Sequence, residues 1–145
     1  MSDKTPAPRV WPTLRAHDAR ALISFLVEAF GFTETVVYGD GDSVSHAELS
    51  WPPGGGIMLG AGRGAADDEG PQALGGLSAY AVTDEPDVVF ARAVARGAVV
   101  VTEPHDTDYG SREFSVRDPE GNRWSFGSYR GASRSESGTV PRARD

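Results

Sequence analysis

Two stretches of this chain carry the same pattern at the same length. Each begins with an aspartate suited to capping a helix, continues with apolar residues at helical spacing and ends at a glycine, and the two run from Asp18 to Gly31 and from Asp84 to Gly97. An alternating, strand-like segment precedes each stretch, and further strand-like segments follow it. The chain is therefore predicted to contain a β-α-β-β-β unit twice, which makes it an α+β protein.

The boundaries of the two units follow from changes in composition. Residues 1–8 are polar and contain prolines, so we expect them to be disordered, with a first module at 9–61 and a second at 77–129. Residues 62–76, rich in glycine, alanine and acidic side chains, are interpreted as a linker, and residues 130–145 as a flexible tail. Strands are predicted at 10–15, 33–38, 43–51, 57–60, 77–82, 99–102, 112–117 and 123–129, and helices at 19–30 and 86–96.

Composition narrows the range of partners. The formal net charge is −7 and the sequence has no dense cluster of Lys and Arg, which argues against a nucleic-acid partner. The chain has no cysteine, so any metal would have to be held by His, Asp or Glu. The first residues do not read as a secretion signal, and no apolar run reaches membrane-spanning length. We therefore expect a cytoplasmic protein with no membrane partner.

A hairpin turn lies near the end of the second module. Asp118, Pro119 and Gly121 stand at the first, second and fourth places of a type I turn, and alternating segments flank them. Alternation then assigns one side of each strand to the helix, while the other side either faces water or surrounds a ligand. The residues expected on the helix side are Val10, Pro12, Leu14, Trp124 and Phe126; those expected opposite are Trp11, Thr13, Arg15, Arg123, Ser125 and Gly127.

Four short segments stand in order along the duplicated units. They are Ala29-Phe30-Gly31-Phe32, His46-Ala47-Glu48-Leu49, Ile57-Met58-Leu59-Gly60 and Asp118-Pro119-Glu120-Gly121-Asn122-Arg123-Trp124. Together with the duplication they resemble the glyoxalase/bleomycin-resistance/extradiol-dioxygenase superfamily, also called vicinal oxygen chelate proteins. The resemblance covers residues 10–129. It implies two modules whose mixed sheet curves into a cup around a ligand, with the helices on the outer face.

The resemblance also bears on a metal site. Enzymes of this superfamily hold a divalent metal through His or Gln in the first strand, Glu in the fourth, His at the start of the second module and Glu in the last strand. Counting from the shared Asp and turn motifs places Trp11, Met58, Leu77 and Ser125 at these positions. Such metals require carboxylate or imidazole groups. We therefore expect no metal site and no cofactor.

Without a metal site, the chain resembles those members of the superfamily that bind drugs without a metal. We expect a metal-independent small-molecule-binding protein of the kind that sequesters a drug, acting as a homodimer that covers its sheet edges. Trp11, Trp51 and Tyr109 offer stacking area, while Met58 and Leu77 would either form an apolar floor or fill a collapsed cup. The predicted ligand-binding residues are Trp11, Thr13, Arg15, Trp51, Met58, Leu77, His105, Tyr109, Arg112 and Ser125.

A second hypothesis, from a different class, is an enzyme. His46 and Glu48 are two residues apart on one strand, so they share a face and could transfer protons in a lyase or isomerase acting on a small carbonyl compound. The loop around His105 is another candidate for this role, although its aspartates could equally bond their own backbone. Three alternatives stay open: a half-exposed polar strand face, Arg15 pairing with Glu48, and a metal-dependent lyase or dioxygenase.

Overall fold

The computed structural model describes residues 9–41, 43–61 and 76–131. These residues form two separate four-stranded mixed sheets. The first sheet, in the order β1-β4-β3-β2, contains β1 (Thr13–Ala16), β2 (Thr33–Asp40), β3 (Ser43–Ser50) and β4 (Gly56–Ala61). The second, in the order β5-β8-β7-β6, contains β5 (Ser78–Val82), β6 (Val99–Asp106), β7 (Arg112–Arg117) and β8 (Arg123–Gly127). The predicted α+β class and the duplicated β-α-β-β-β order are confirmed.

Both sheets are assembled in the same way. The first strand of each module runs parallel to the last, and the remaining pairs are antiparallel. The segments predicted as a disordered start (1–8), as a linker (62–76, all but its last residue) and as a tail (130–145, from 132 onward) lie outside the described residues. No helix in the part of the chain that the structure describes is long and apolar enough to span a membrane.

Each module contributes one helical region. Helix α1 (Ala19–Phe25) begins at Asp18, whose carboxylate accepts the backbone N–H of Ala21 at 3.0 Å, as expected for an N-cap. The chain then continues as a π-helical segment (Leu26–Phe30), where the sequence had predicted ordinary α-helix, and ends at Gly31 with φ of 96°.

Helix α2 (Pro86–Ala95) starts at Pro86 as predicted, but its N-cap lies one residue later than predicted. Glu85, not Asp84, occupies the N-cap position and makes no side-chain capping bond. The hydroxyl of Thr83 instead accepts the backbone N–H of Glu85 at 3.1 Å. Pro86 lies in the first turn, where its missing N–H costs no helical hydrogen bond.

Two strand predictions miss a strand end by three residues or more, and the last predicted strand ends at Gly127 and not at residue 129. β1 starts at Thr13 and not at residue 10. Of the three residues predicted on its helix side, Val10 and Pro12 are therefore exposed, and Leu14 is buried. β6 continues to Asp106 and not only to residue 102. It is an edge strand, where the Pro104 within it is tolerated because no N–H is needed on the open side.

The turn between β7 and β8 is organised by one buried carboxylate. Asp118 is 3% exposed, and its oxygens accept the indole N–H of Trp124 at 2.9 Å and the backbone N–H groups of Glu120 and Asn122. Its carbonyl accepts the N–H of Gly121 at 2.9 Å, which closes the predicted turn. Because a buried carboxylate without donors would be costly, this hydrogen-bond set fixes the hairpin.

The helix-bearing sides of the two sheets share one apolar core. Phe30, from the end of the first helical region, contacts Trp124 and Phe126 of β8 with ring centroids 5.4 Å and 4.7 Å apart. Trp124 and Phe126 are fully buried, as predicted. The modules therefore pack through their helix sides.

Polar contacts from the second module hold both ends of the first helical region. The Glu120 carboxylate accepts the backbone N–H groups of His17 and Asp18 at 3.1 Å and 3.0 Å, just before α1. At the other end, the Arg92 guanidinium donates to the carbonyl of Ala29 at 2.9 Å. These are the groups a helix leaves unpaired at its ends, so the contacts fix the two modules relative to each other.

Candidate functional site

Each sheet has a second side that faces away from the helices, here called its open face. Alternation along the strands places polar and partly exposed side chains there, while the helix side is apolar. The first open face carries Thr13, Arg15, His46, Glu48, Met58 and Gly60, and the second carries Ser78, Tyr80, Glu113, Ser115, Ser125 and Gly127. The predicted separation of Ser125 from Trp124 and Phe126 is confirmed.

Strand register identifies equivalent positions on the two open faces. Thr13 lies directly opposite Met58 in the first sheet, and Tyr80 lies directly opposite Ser125 in the second. Trp11 and Leu77, which motif counting assigned to the metal-ligand positions, precede these strands, since β1 begins at Thr13 and β5 at Ser78. Motif counting does not reveal where a parallel strand pair comes into register, so the pairing of Thr13 with Met58 and of Tyr80 with Ser125 is visible only in the structure.

The first open face holds a paired acid and base. His46 Nε2 lies 2.9 Å from Glu48 Oε2, and both side chains are partly exposed. The ring of Tyr38, on the neighbouring strand, stacks on the imidazole at 6.1 Å with an interplanar angle of 21°. An imidazole oriented by a carboxylate can accept or donate a proton, so this pair is chemically able to perform proton transfer.

The second open face carries a group here called the tyrosine cage, made of Tyr80, Tyr109, Glu113 and Tyr129. With Ser78 and Ser125 it lines a cavity of about 480 Å³. The Tyr109 hydroxyl donates to both oxygens of Glu113 at 3.1 Å and 3.0 Å, and the Tyr80 hydroxyl donates to the carbonyl of Tyr129 at 2.7 Å. The rings of Tyr109 and Tyr129 meet edge to face at 5.9 Å.

The surroundings of the cage favour neutral phenols. The hydrogen bond to Glu113 raises the pKa of Tyr109 above its ordinary value, and partial burial likewise raises the pKa of Tyr80. Both rings therefore keep their hydroxyl protons at neutral pH, and Glu113 supplies the negative charge of the cage.

Sequence reasoning found Tyr109 and Ser125 but missed Tyr80, Glu113 and Tyr129. Strand alternation carried a usable signal for Tyr80 and Glu113. Tyr80 shares a face of its strand with Ser78, and Glu113 shares a face of its strand with Ser115. Tyr129 follows β8, which ends at Gly127, and it continues the alternation that placed Arg123, Ser125 and Gly127 opposite the helix, so the predicted strand at 123–129 carried a signal for it as well.

A second cavity, of about 410 Å³, lies between the modules. Trp51 lines it together with Phe32 and the backbone of β5. The indole N–H of Trp51 donates to the carbonyl of Val82 at 3.1 Å, and its ring packs 5.0 Å from Phe32. Trp51, predicted to stack on a ligand, is thus placed at the junction of the modules. The ring of Trp11 lies over Gly56, which is one of the residues that line this cavity.

The remaining predicted ligand residues are scattered. Leu77 precedes β5 and packs against the core, because it shares the helix side with Ala79. His105 lies in β6 opposite Glu113, with Nδ1 2.9 Å from the carbonyl of its neighbour Glu103.

Arg112 is turned toward α2. Its guanidinium bonds Asp87 at 3.1 Å and Asp106 at 3.2 Å, and the first of these contacts raises the pKa of Arg112. The segment from His105 to Arg112, predicted as a loop, is therefore partly strand, and the side chains of His105 and Arg112 lie on different sides of the sheet.

Comparison with known proteins agrees with this geometry. The family model of the Glyoxalase/Bleomycin resistance protein/Dioxygenase superfamily matches residues 10–126. The chain belongs to this superfamily. An uncharacterised protein of Mycobacterium tuberculosis is 33% identical over 133 residues, covering 83% of this chain and 74% of the relative. An uncharacterised protein of Mycobacterium bovis is also 33% identical, with 82% of its own length covered.

Solved structures show the same glyoxalase-type fold. TioX from Micromonospora superimposes with a TM-score of 0.68 at 26% identity, covering 83% of this chain and 98% of TioX. A glyoxalase/bleomycin resistance protein/dioxygenase family enzyme from Burkholderia phytofirmans gives a TM-score of 0.60 at 19% identity, covering 81% of this chain and 94% of the enzyme.

Metal binding is the chemistry that the superfamily implies, and the donor set of this chain does not fit it. The two register pairs at the centre of the open faces, Thr13 with Met58 and Tyr80 with Ser125, offer three hydroxyls and a thioether. Divalent metals in proteins are held by carboxylate and imidazole groups. Within residues 9–41, 43–61 and 76–131, no three His, Asp or Glu side chains come close enough to hold an ion.

Proposed function

We propose that this glyoxalase-superfamily protein binds a small organic molecule on its open faces without using a metal, as drug-sequestering members of the superfamily do. The observation that carries the proposal is the cavity of about 480 Å³ lined by Tyr80, Tyr109, Tyr129 and Glu113. Its size falls in the range of small-molecule sites, and its mixture of aromatic walls with a few polar groups is typical of them.

A second copy of the chain is part of the proposal. Val99, Val100 and Val101 are 61%, 40% and 36% exposed on β6, which is an edge strand of its sheet. Exposed apolar side chains on an unpaired strand edge favour association between copies. We expect a homodimer, which light scattering coupled to size-exclusion chromatography would detect.

A thermal-shift screen tests the binding proposal. The protein, treated with a chelator and dialysed, is heated with individual aldehydes, thiols, aromatic compounds, cationic antibiotics and divalent metals. A ligand of the native state raises the melting temperature by mass action, and we expect an organic compound to do so equally with and without chelator treatment. Stabilisation that requires added metal, or no stabilisation by any organic compound, would contradict the proposal.

The pair His46 and Glu48 favours a second candidate function, proton transfer on a small carbonyl compound. Their 2.9 Å contact and the stacked Tyr38 make an oriented base on the first open face. A turnover assay with the carbonyl compounds that stabilise the protein would test it, comparing His46→Ala with His17→Ala, a change at an exposed histidine, as the matched control. Turnover that is lost in His46→Ala and kept in the control supports an enzyme. Binding without turnover, in the wild-type protein as in both variants, supports the binding protein.

A further inference from the structure

Among the residues that the structure describes, the carboxylate of the tyrosine cage has no cationic partner. Glu113 is partly buried on the second open face, and in the described part of the chain its hydrogen bonds come from the neutral hydroxyl of Tyr109 alone. His105 faces it across the strand ladder, but that imidazole contacts the carbonyl of Glu103. A carboxylate that is partly removed from water and faces a cavity is stabilised by a positive charge placed beside it.

Three aromatic rings surround the same space. Tyr80, Tyr109 and Tyr129 are 43%, 60% and 48% exposed, so a large part of each ring is available to a ligand. The faces of aromatic rings attract cations within about 6 Å of the ring centroid. Phenol rings grouped around one carboxylate thus combine two separate attractions for a positive group.

The cage is also held in shape before any ligand arrives. The Tyr80 hydroxyl is bonded to the carbonyl of Tyr129, the Tyr109 hydroxyl to Glu113, and the Tyr109 and Tyr129 rings contact each other. Side chains that are already ordered lose little conformational entropy on binding. These contacts orient the walls while the cavity between them stays open.

We propose that the tyrosine cage binds the cationic head of the ligand, a quaternary ammonium or a protonated alkylamine, with Glu113 as its counter-ion. The inference rests on the proposed function and names the chemical class of its ligand. The cavity of about 480 Å³ accommodates such a group together with part of an attached apolar body. The net charge of −7 draws cations toward the protein.

The test compares two probes that differ in charge and hardly in shape, acetylcholine and its carbon analogue 3,3-dimethylbutyl acetate. Titration calorimetry on the full chain should show acetylcholine binding at least about tenfold more tightly. Glu113→Gln should weaken acetylcholine about tenfold and leave the neutral ester unchanged. Glu34→Gln makes the same change of charge at an exposed position of the other sheet and should leave both affinities within about twofold of wild type.

Two variants of Tyr109 distinguish the contribution of the aromatic ring to acetylcholine affinity from that of the Glu113 carboxylate. Tyr109→Phe keeps the ring and should retain most of the affinity for acetylcholine, whereas Tyr109→Ala should lose several-fold. Circular dichroism melts establish that each variant is folded. Three results would each contradict the proposed cation site: equal binding of the two probes, no binding of either, or an unchanged acetylcholine affinity in Glu113→Gln. If one of these results is obtained while a neutral compound from the screen still binds wild type and Glu113→Gln equally, the small-molecule function stands and only the cation site is removed.

Discussion

The two open faces occupy the same scaffold and carry different chemistry. Register makes four positions of the first sheet equivalent to four of the second: Thr13 to Tyr80, Met58 to Ser125, Glu48 to Ser115 and Gly60 to Gly127. In the first sheet these places include Glu48, which pairs with His46. In the second they combine hydroxyls with the tyrosine cage, and the Ser115 and Ser125 hydroxyls bond each other at 2.7 Å.

The helix sides of the two sheets show no comparable difference. Leu14, Leu49 and Leu59 on one and Phe114 and Phe126 on the other are fully buried in one core. Packing constrains the helix side because adding or removing even one methylene group there changes the stability of the fold. A solvated open face tolerates substitution. Packing thus constrains the helix sides of both modules alike, and the chemical difference between the modules lies on their open faces.

The largest effect is expected at the point where the two helix sides meet. Phe30→Ala should destabilise the protein by about 3–5 kcal/mol, because the ring packs against Phe25, Trp124 and Phe126. Denaturant unfolding followed by circular dichroism and tryptophan fluorescence measures it, and both signals should shift together if the core is shared. Val88→Ala, at a residue 53% exposed on α2, should change stability by less than about 0.5 kcal/mol. Separate transitions in Phe30→Ala would show that the modules unfold independently.

Much of this scaffold could be predicted from sequence because its signals are local. An aspartate cap, an apolar stripe and a terminal glycine specify the first helical region, and an Asp-Pro-x-Gly turn specifies the last hairpin. The edge strand β6 was underestimated because Pro104 and the acidic residues near His105 are typical of a loop. Only the sheet shows that Pro104 lies where no N–H is required.

The candidate site could be predicted only in part, because its members come together through tertiary structure. His46 and Glu48 lie on one strand, so alternation was sufficient to place them on one face. Tyr129 continues the alternation of the last predicted strand, but Tyr109 lies in the turn between β6 and β7, where no periodic signal predicts its contact with Tyr129. The partnership of Tyr80 with Ser125 depends on the register of a parallel pair, which the sequence does not specify.

A pair of glycine variants compares the two open faces directly. A Cβ at Gly127 would lie 2.6 Å from the Tyr80 hydroxyl and 2.7 Å from Glu113 Cγ, so Gly127→Ala must displace both side chains of the cage. We expect about a tenfold loss of acetylcholine affinity, with little change in stability, because the lost hydrogen bond is offset by the reduced entropy of the unfolded chain. At the equivalent Gly60, a Cβ would come no closer than 3.1 Å to the carbonyl of Ser45.

Gly60→Ala should therefore leave the cation affinity unchanged. Calorimetric titration of both variants with acetylcholine measures the difference. A similar loss in Gly60→Ala would place the cation site on the first sheet or between the sheets, and would remove the distinction between the two faces.

The smallest expected effect is electrostatic and confined to the second open face. Glu113 raises the pKa of Tyr109 above its ordinary value of 10.0 by accepting its hydroxyl proton in a hydrogen bond. Because the pKa is higher in the folded protein than in the unfolded chain, this contact stabilises the fold below pH 10 and the stabilisation is lost as the pH rises through the folded pKa.

In Glu113→Gln the carboxylate is gone, so Tyr109 should form tyrosinate at lower pH than in wild type. Ultraviolet absorbance titration measures this, with Tyr109→Phe identifying the residue and Glu34→Gln as the charge control. An unchanged Tyr109 titration in Glu113→Gln would mean that the two side chains do not interact in solution, and the cage would then lack the fixed carboxylate that distinguishes the second open face from the first.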